Sequence, residues 1–293
     1  MEQKWNFSFF NNIFKLEITF LIDLVAVAGF FTYTESLKDT IFLIPLLVSG
    51  SLASMASGVF NNIYDTDIDS KMERVSKRRK VVYRNKSKMI ILLIVLFAAS
   101  MIVGFSYLNY ISVIYIIAGF LSYAFLYTVV LKRRTDLNIV FGGIAGSFPA
   151  LAGSAAISGT VTPAAIFIAV LVFVWTPTHF WSLAIKYRDD YSSANIPMLP
   201  AVKGIAVTRK YILINSIFLA IVTIIPFVYS RIGLNLIYGL ASVPLALWIL
   251  IPSYYYFMRK GEAKEYRKLF SYTNGYLTIA LILIIISTFT ILK

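Results

Sequence analysis

The sequence predicts an all-α fold: a polytopic membrane bundle of nine transmembrane helices around a central cavity, with a cytoplasmic N-terminus. Three observations support this prediction. The 293 residues are 59% hydrophobic with a mean hydropathy of +0.77, too apolar for a water-soluble domain of this length. Several apolar stretches are continuous over about 20 residues, the length a helix needs to cross a bilayer, whereas a β-barrel would show alternation. Lys and Arg residues are concentrated in alternate loops.

The apolar stretches predict nine spans within one transmembrane domain covering 1–293. The spans are expected near 14–33, 41–61, 89–107, 110–130, 138–157, 164–185, 211–230, 235–257 and 271–291. Loops near 61–88, 131–138 and 186–204 carry the polar residues from which an active site could be built. The odd number of crossings places the two termini on opposite sides of the membrane.

The distribution of basic residues predicts the orientation. With the N-terminus in the cytoplasm, 24 of the 27 Lys and Arg residues fall on the cytoplasmic side, and only Lys38, Arg231 and Lys293 fall outside. The net charge of +13 also suits attraction to anionic lipids or to an anionic substrate. Nucleic acid is not expected as a partner, because no soluble basic domain is available to bind it. The N-terminal segment resembles neither a transit peptide nor a cleavable signal, which favours a prokaryotic cell membrane.

Composition excludes several kinds of chemistry. The chain contains no cysteine, so disulfides, thiolate zinc sites, iron–sulfur clusters and a cysteine nucleophile are excluded. His179 is the only histidine, so one chain cannot form a multi-histidine metal site. The remaining candidates for metal binding are the carboxylates, of which there are only 14.

One acidic cluster follows the second predicted span. It reads Asn61-Asn62-Ile63-Tyr64-Asp65-Thr66-Asp67-Ile68-Asp69. On a continuing helix the spacing of four places Asn61, Asp65 and Asp69 on one face, with Asp67 pointing elsewhere. Two such carboxylates repel by about 3 kcal/mol at 5 Å, and a bound Mg²⁺ removes that cost. The alternative is a helix end whose acids pair with nearby cations such as Lys71.

A second acidic cluster follows the sixth predicted span, at Asp189 and Asp190. On a helix that leaves the membrane, His179, Lys186 and Asp190 share a face. The alternative is a solvated turn. Two acidic clusters at one membrane surface could hold two ions around one diphosphate, and this joint pattern is more informative than either cluster alone.

Basic, imidazole and glycine side chains complete the candidates. Lys132, Arg133 and Arg134 could bind phosphate oxygens or could simply anchor the loop on the cytoplasmic side. His179 lies about two turns inside its span, where it could contact a large polar substrate, serve as an axial ligand, act as a base, or bond to a neighbouring helix. The run from Gly142 to Ser147 lacks the Lys-Ser/Thr of a phosphate loop, so close helix packing is the better interpretation.

These motifs, in this order, resemble the intramembrane prenyltransferases of the UbiA type, and within them the haem farnesyltransferases. The resemblance covers most of the chain. Its strongest parts are Asn61 to Arg74, Tyr127-Thr128 through Lys132-Arg133-Arg134-Thr135 to Asn138 and Gly142-Gly143, and His179-Phe180-Trp181 through Lys186 and Asp189-Asp190-Tyr191 to Pro200. The third part distinguishes the haem subgroup from relatives in quinone pathways.

The chain departs from the family pattern at four places. Lys186 stands where the second motif of the wider superfamily has its first aspartate, which agrees with the haem subgroup. Pro177-Thr178 replaces the usual Pro-Pro, and Arg74-Val75 replaces the usual Arg-Thr. The usual Lys-Pro-Arg opening of the first span reads Lys15-Leu16-Glu17, so the resemblance does not carry a substrate role over to Lys15.

The resemblance implies farnesyl transfer from farnesyl diphosphate to a vinyl group of haem b, with Mg²⁺ as cofactor. The implied metal ligands are Asn61, Asp65, Asp69 and Asp190. The implied catalytic residues are Asp65, Asp69, Asp190, Lys132 and Arg133. The implied substrate-binding residues are Asn61, Asn62, Arg74, Arg78, Tyr127, Asn138, His179, Lys186 and Asp189. The resemblance also implies the lipid bilayer as surroundings, and haem A synthase or the terminal oxidase assembly machinery as protein partners.

Three alternatives remain open at the level of sequence. Prenyl transfer to a quinone precursor or lipid is the nearest, and the His179-to-Pro200 stretch argues against it. A secondary transporter would place its ionisable residues near the membrane midplane, where Asp23 and Glu17 are the available candidates. An assembly factor without chemistry would leave the acidic clusters unexplained.

Overall fold

A computed structural model of the protein describes residues 7–34, 36–68, 82–259 and 263–289. These ranges are mostly helical and contain no β-strand, which confirms the predicted all-α class. The α-helices are α1 Phe7–Phe14, α2 Leu16–Phe31, α3 Leu43–Tyr64, α4 Lys86–Tyr107, α5 Tyr110–Leu121, α6 Asn138–Gly142, α7 Phe148–Ser154, α8 Pro163–Lys186, α9 Arg188–Ser193, α10 Leu199–Val202, α11 Gly204–Val228, α12 Leu236–Arg259 and α13 Tyr266–Phe289. A π-helix, π1 Ser122–Leu131, continues α5, and 3₁₀ turns cover Leu37–Phe42, Gly143–Gly146, Ser230–Ile232 and Ala263–Glu265.

Seven helical segments in the described ranges are long and apolar enough to cross a membrane. They are Leu37–Tyr64, Lys86–Tyr107, Tyr110–Leu131, Pro163–Lys186, Gly204–Val228, Leu236–Arg259 and Tyr266–Thr288. Each matches one of the nine predicted spans. Their outer faces expose large apolar side chains, as expected for contact with lipid tails rather than water. The chain is therefore a multi-pass membrane protein.

The other two predicted spans, 14–33 and 138–157, are not confirmed as single long helices. The first begins only after Lys15, whose positive φ of 53° interrupts the helix, and leaves the 16 residues of α2. The second is divided into α6, a 3₁₀ turn over Gly143–Gly146, and α7, which has Pro149 in its first turn. Glycine and proline weaken the α-helical hydrogen-bond ladder here, a backbone effect that hydropathy does not detect.

Helix α8 forms the centre of the bundle. Thr162 caps its start by accepting a hydrogen bond from the backbone N–H of Ala165 at 3.1 Å, and Pro163 occupies the first turn, where a missing N–H costs nothing. Its apolar side chains form the largest buried cluster, together with residues from α2, α11, α12 and α13. Trp175 of α8 also donates its indole N–H to the backbone oxygen of Thr273 on α13, at 2.8 Å.

Helices α2 and α7 pack with their backbones in contact. A Cβ built on Gly153 would lie 2.0 Å from the carbonyl oxygen of Ala26, and one built on Gly29 would lie 2.1 Å from that of Ala150. Only hydrogen fits at either position. Such small-residue crossings are a common means of association between membrane helices, where lipid tails provide no hydrophobic driving force.

Replacing Gly153 with valine is expected to separate α2 from α7 and to destabilise the protein by about 3 kcal/mol or more. Thermal unfolding in detergent should show a melting temperature lowered by roughly 5–10 °C. Gly50→Ala is the matched control, because the nearest atom to its Cβ is 4.0 Å away. A Gly153→Val protein that melts with the wild type would contradict the close crossing.

Candidate active site

The buried polar centre of the site lies at the end of α3. Asp65 caps the helix, and its backbone N–H donates to the carbonyl oxygen of Asn61 at 2.9 Å. The Asn61 side-chain amide donates to Oδ2 of Asp65 at 2.7 Å and lies 3.2 Å from Oγ1 of Thr128. Asp65 is only 1% exposed and Asn61 5%. A carboxylate buried to this degree requires charged or hydrogen-bonding partners.

Lys132 and Arg133 supply that compensating charge. The ammonium of Lys132 donates to Oδ2 of Asp65, and Nη2 of Arg133 lies 3.3 Å from Oδ1 of the same carboxylate. The guanidinium carbon of Arg133 also lies 4.7 Å from the centre of the Tyr64 ring, in a cation–π contact. Asn61, Asp65, Lys132 and Arg133, all predicted site residues, therefore form one hydrogen-bonded group.

Asp67 belongs to the same group, although the helical spacing predicted that it points elsewhere. The prediction was wrong because α3 ends at Tyr64 and residues 65–68 form a turn, so spacing along a continuing helix no longer applies. Both oxygens of Asp67 accept from Arg133, at 2.6 and 2.8 Å. These hydrogen bonds hold the pKa of Asp67 below its usual value of 3.8.

The π-helix explains how the basic loop reaches Asp65. In π1 the hydrogen bonds join residues five apart, as between the N–H of Lys132 and the oxygen of Tyr127 at 2.8 Å. The side-chain hydroxyl of Thr128 also spans five residues, because it donates to the backbone oxygen of Tyr123 at 2.9 Å. The wider turn places Tyr123, Thr128 and Lys132 along the face that meets α3. Short π-helical segments often occur at functional sites.

Lys15 is a site residue that the sequence did not indicate. Its ammonium donates to Oδ1 of Asn61 at 2.7 Å and to the hydroxyl of Tyr123 at 2.5 Å. Its backbone is left-handed, a conformation that costs a non-glycine residue about 1–3 kcal/mol. The signal available in the sequence was the family's Lys-Pro-Arg opening of the first span, but it reads Lys15-Leu16-Glu17 here, so no site role was predicted for Lys15.

Replacing Lys15 with methionine is expected to keep the chain folded and to weaken diphosphate binding about tenfold, because one of the three cations around Asn61 and Asp65 is lost. Isothermal titration with inorganic diphosphate and Mg²⁺ measures this directly. Lys38→Met, a charge change outside the site, is the control. Equal affinities for the two variants would exclude Lys15 from the site.

Asn62 and Asn138 are buried but do not contact Asp65. The Asn62 amide donates to the backbone oxygen of Ile13 at 2.9 Å, which fastens α3 to α1. The Asn138 amide donates to the oxygens of Thr135 at 2.8 Å and Pro197 at 3.4 Å, which joins two loops. Neither side-chain oxygen has a hydrogen-bond partner within the described ranges.

The loop after α8 reaches the same end of the bundle, but no hydrogen bond or ion pair joins its acidic residues to Asp65, Lys132 or Arg133. The non-helical backbone of Tyr187 separates α8 from α9, so the prediction that Asp190 shares a helix face with His179 and Lys186 was wrong. His179 and Lys186 themselves lie seven residues apart within α8, as the predicted shared face requires. Lys186 donates to the hydroxyl of Tyr187 at 2.9 Å. Asp189 and Asp190 lie in the first turn of α9 and make no ion pair with any described residue.

An apolar cluster nevertheless joins all three loops, and the end of the bundle where they meet is called the basic end below. The cluster contains Ile68, Ile139, Ala194, Ile196 and Met198, with Tyr127, Phe180, Tyr191 and Ala201 packed against it. Tyr127 also stacks on Tyr123 at 5.6 Å between ring centres. A Cβ on Gly142 would lie 2.5 Å from the Tyr127 ring, so this glycine serves close packing, as predicted.

His179 lies deeper in the bundle, in an aromatic setting. Its ring is buried between Trp175 and Phe270, at 4.1 and 4.2 Å between centres. Nδ1 lies 2.8 Å from the hydroxyl oxygen of Thr273. Three predicted site residues, Asp69, Arg74 and Arg78, lie outside the described residues.

The charges of the site fit a complex of a divalent cation with diphosphate better than a bare cation. Lys132 and Arg133 pair with Asp65 and Asp67, and Lys15 adds a third cation through Asn61, so positive charge is in excess. A metal alone would add to that excess, whereas diphosphate would offer oxygens to the three cations and leave the carboxylates to the metal. Within the described ranges, no three acidic or histidine residues cluster closely enough to hold a metal by themselves. Asn61 and Asp65 provide hard oxygen donors of the kind Mg²⁺ takes alongside substrate phosphates.

Comparisons with known proteins identify the family of the chain. Residues 24–286 match the model of the UbiA prenyltransferase family. The chain is 46% identical over 276 residues to protoheme IX farnesyltransferase 2 of Picrophilus torridus, covering 92% of this chain and 94% of the relative. It is 40% identical over 269 residues to protoheme IX farnesyltransferase of Alcanivorax borkumensis, covering 90% and 87%.

A solved structure also shares the fold. The structure of a UbiA homolog from Archaeoglobus fulgidus, bound to DMAPP and Mg²⁺, superposes with a TM-score of 0.71 at 16% identity, covering 94% of this chain and 98% of that one. With the family model matching most of its length, the chain belongs to the UbiA prenyltransferase family.

Proposed function

We propose that this protein is a prenyltransferase that transfers the farnesyl group of farnesyl diphosphate to a vinyl group of protohaem IX, forming haem O. The observation that carries the proposal is the group formed by Asn61, Asp65, Lys132 and Arg133, in a chain whose relatives at 40–46% identity are named protoheme IX farnesyltransferases. That group combines oxygen donors for a metal with cations for a leaving diphosphate.

The residues divide into three roles. Asn61 and Asp65 would hold Mg²⁺, joined by Asp69 and, from the opposite loop, Asp190. When bound, Mg²⁺ neutralises the diphosphate and so makes it a better leaving group. Lys132 and Arg133 would turn from the carboxylates to the diphosphate oxygens, and Lys15 would turn from Asn61 and Tyr123. Arg74 and Arg78 would be further cations. Tyr127, Asn62, Asn138, Lys186 and Asp189 would shape the substrate pocket.

The reaction needs no nucleophile from the protein. Cleavage of the bond between farnesyl C1 and the diphosphate oxygen gives an allylic cation, and positive side chains at the departing group stabilise the transition state. The vinyl π electrons of the haem then form the new bond to C1. Water adds to the resulting cation and releases a proton, which gives the hydroxyethylfarnesyl side chain. The apolar rings lining the basic end keep other water away from the first cation.

A direct assay tests the proposal. Purified protein is incubated with farnesyl diphosphate, haem b and Mg²⁺, and the products are analysed by mass spectrometry. We expect haem O, with diphosphate released in equal amount. A quinone precursor offered in place of haem tests the nearest alternative. Prenylation of that acceptor but not of haem, or no prenyl transfer at all, would overturn the proposal.

A transporter remains the alternative from another class, and Asp23 is its best support. Asp23 accepts a hydrogen bond from Ser51 at 2.7 Å, within the packing of α2 against α3. The charged residues of the site instead cluster at the ends of α3 and π1. Turnover by purified protein in detergent, where no compartment exists for transport, discriminates the two functions.

The proposal includes an orientation in the prokaryotic cell membrane. We place the basic end in the cytoplasm, with α2 and the α6–α7 segment as two further crossings that complete nine and a cytoplasmic N-terminus. Haem A synthase or the terminal oxidase assembly machinery would receive the product.

Cysteine labelling tests the orientation cleanly, because the chain has no native cysteine. Ser192 is exposed at the basic end and Ser158 is exposed in the loop before α8. In intact cells, a membrane-impermeant maleimide is expected to label Ser158→Cys, and to label Ser192→Cys only after lysis. The reverse pattern would place the basic end outside.

A further inference from the structure

The protonation of His179 can be assigned from its hydrogen-bond partner. The hydroxyl of Thr273 donates to the backbone oxygen of Phe270 at 2.7 Å, so its proton is already committed. Thr273 can therefore only accept from the imidazole, and Nδ1 of His179, at 2.8 Å, carries the proton. In the neutral ring this leaves Nε2 with an unshared electron pair.

That electron pair has no hydrogen-bond partner in the part of the chain that the structure describes. Nε2 makes no hydrogen bond with any residue in the described ranges, and it is not among the fully enclosed polar atoms that lack a partner. The ring cannot easily turn away, because Trp175 and Phe270 stack on its two faces at interplanar angles of 21° and 27°. A histidine that served only to join helices would be expected to use both nitrogens.

This arrangement has the features of a metal-ligating histidine. Such residues donate one ring N–H to a neighbouring oxygen, which fixes the tautomer and orientation, and present the other nitrogen to the metal. In the chain described here the acceptor is a threonine hydroxyl. His179 belongs to no cluster of three acidic or histidine side chains in the described ranges, so the metal has to arrive with its other ligands already in place. An iron porphyrin meets that requirement.

The distance of His179 from the end of its helix suits a haem acceptor that lies beside the proposed diphosphate site. His179 lies seven residues before the end of α8, about 10 Å along the helix, and Asn61 lies three residues before the end of α3, about 5 Å. The ring of Phe180 contacts His179 edge-on at 5.2 Å and packs in the same cluster as Tyr127. A porphyrin edge extends several ångströms from its iron, enough to bridge such a difference in depth.

We propose that Nε2 of His179 is an axial ligand to the iron of the acceptor haem, and this inference rests on the proposed function. The nitrogen donates its electron pair to iron, with no change of oxidation state and no proton transfer. His179 is then a positioning residue: it orients the haem so that a vinyl group faces the prenyl diphosphate, and it takes no part in the bonds that form and break.

Spectroscopy of the purified full-length protein tests the ligation without relying on activity. Haem b is titrated into wild type and His179→Ala, and absorption and resonance Raman spectra are recorded in the ferric and ferrous states. We expect a histidine-ligated spectrum in wild type, and in His179→Ala loss of that signature with haem affinity at least about tenfold lower. Added imidazole should restore the spectrum. Metal-free protoporphyrin IX, followed by fluorescence, should bind both proteins within about twofold.

Two further variants keep the test decisive. Thr178→Val alters the neighbouring residue, which bonds to Asn215 and Ser216 on the far side of α8, and should retain the wild-type spectrum. His179→Met supplies a different ligand and should give a thioether-ligated spectrum if His179→Ala does not fold. Identical spectra and affinities in wild type and His179→Ala would overturn the ligation and leave the proposed function standing. Equal loss of haem and metal-free porphyrin would show a packing role only. Failure of wild type to bind haem at all would count against the proposed function itself.

Discussion

Asp65→Asn is expected to lower prenyl transfer by about 10²- to 10³-fold, the range found when one preorganised electrostatic group is removed from an active site. The substitution preserves size and one oxygen donor but removes the negative charge around which Asn61, Lys132 and Arg133 are assembled. With that charge gone, three cations remain around a neutral side chain, and the cost of bringing in a metal increases.

The prediction separates chemistry from folding. Removing one partner of a buried ion pair commonly costs 3–5 kcal/mol, but Arg133 is partly exposed and also pairs with Asp67, so the folding cost should be smaller. Asp136→Asn is the control, because Asp136 lies at the same surface and pairs with Lys203 at 2.8 Å. Initial rates at saturating Mg²⁺ measure the loss of catalysis, and melting temperatures of the same proteins measure the loss of stability. An Asp65→Asn enzyme within threefold of wild type would remove Asp65 from the mechanism.

Lys132→Met is expected to lower the rate constant kcat by about 10²-fold, whereas Arg134→Met should remain within twofold of wild type. Both changes remove one positive charge from the same loop, so an anchoring role would give equal effects. The structure distinguishes them: Lys132 contacts Asp65 and is largely buried, and Arg134 is exposed without an ion pair in the described part of the chain. A cation at the departing diphosphate is worth several kcal/mol only when it is preorganised and shielded from water.

The measurement compares kcat for the two variants at saturating farnesyl diphosphate. Lys132→Arg should recover part of the rate, because it restores charge but changes the shape of the donor. Equal losses in Lys132→Met and Arg134→Met would support simple anchoring of the loop instead.

Much of the fold and the centre of the site were predictable because they depend on composition and motif. Long apolar stretches predict helices whatever their partners, and seven of them are confirmed. The grouping of Asn61 and Asp65 with Lys132 and Arg133 was expected from their motifs and their common side of the membrane. Close packing at Gly142 followed from glycines within an apolar segment.

The parts that sequence did not predict depend on backbone geometry fixed by tertiary contacts. Asp67 joined the site because α3 ends at Tyr64, and Asp190 left its predicted face because Tyr187 breaks the helix. Lys15 reaches Asn61 only because its backbone is left-handed between α1 and α2. No glycine or proline stands at the residues where these helices end. The sequence therefore carries no sign of the interruption, and the predicted spacing assumed continuous helices.

The central claim is that Asn61 and Asp65 bind a metal that carries the prenyl diphosphate. An experimental structure with a non-hydrolysable farnesyl thiodiphosphate and Mn²⁺ in place of Mg²⁺ tests it most directly, because anomalous scattering locates the metal. We expect a metal peak about 2.1 Å from side-chain oxygens of Asn61 and Asp65, with Lys132 and Arg133 turned onto diphosphate oxygens. A metal bound elsewhere, with both cations still on Asp65 beside bound diphosphate, would contradict it.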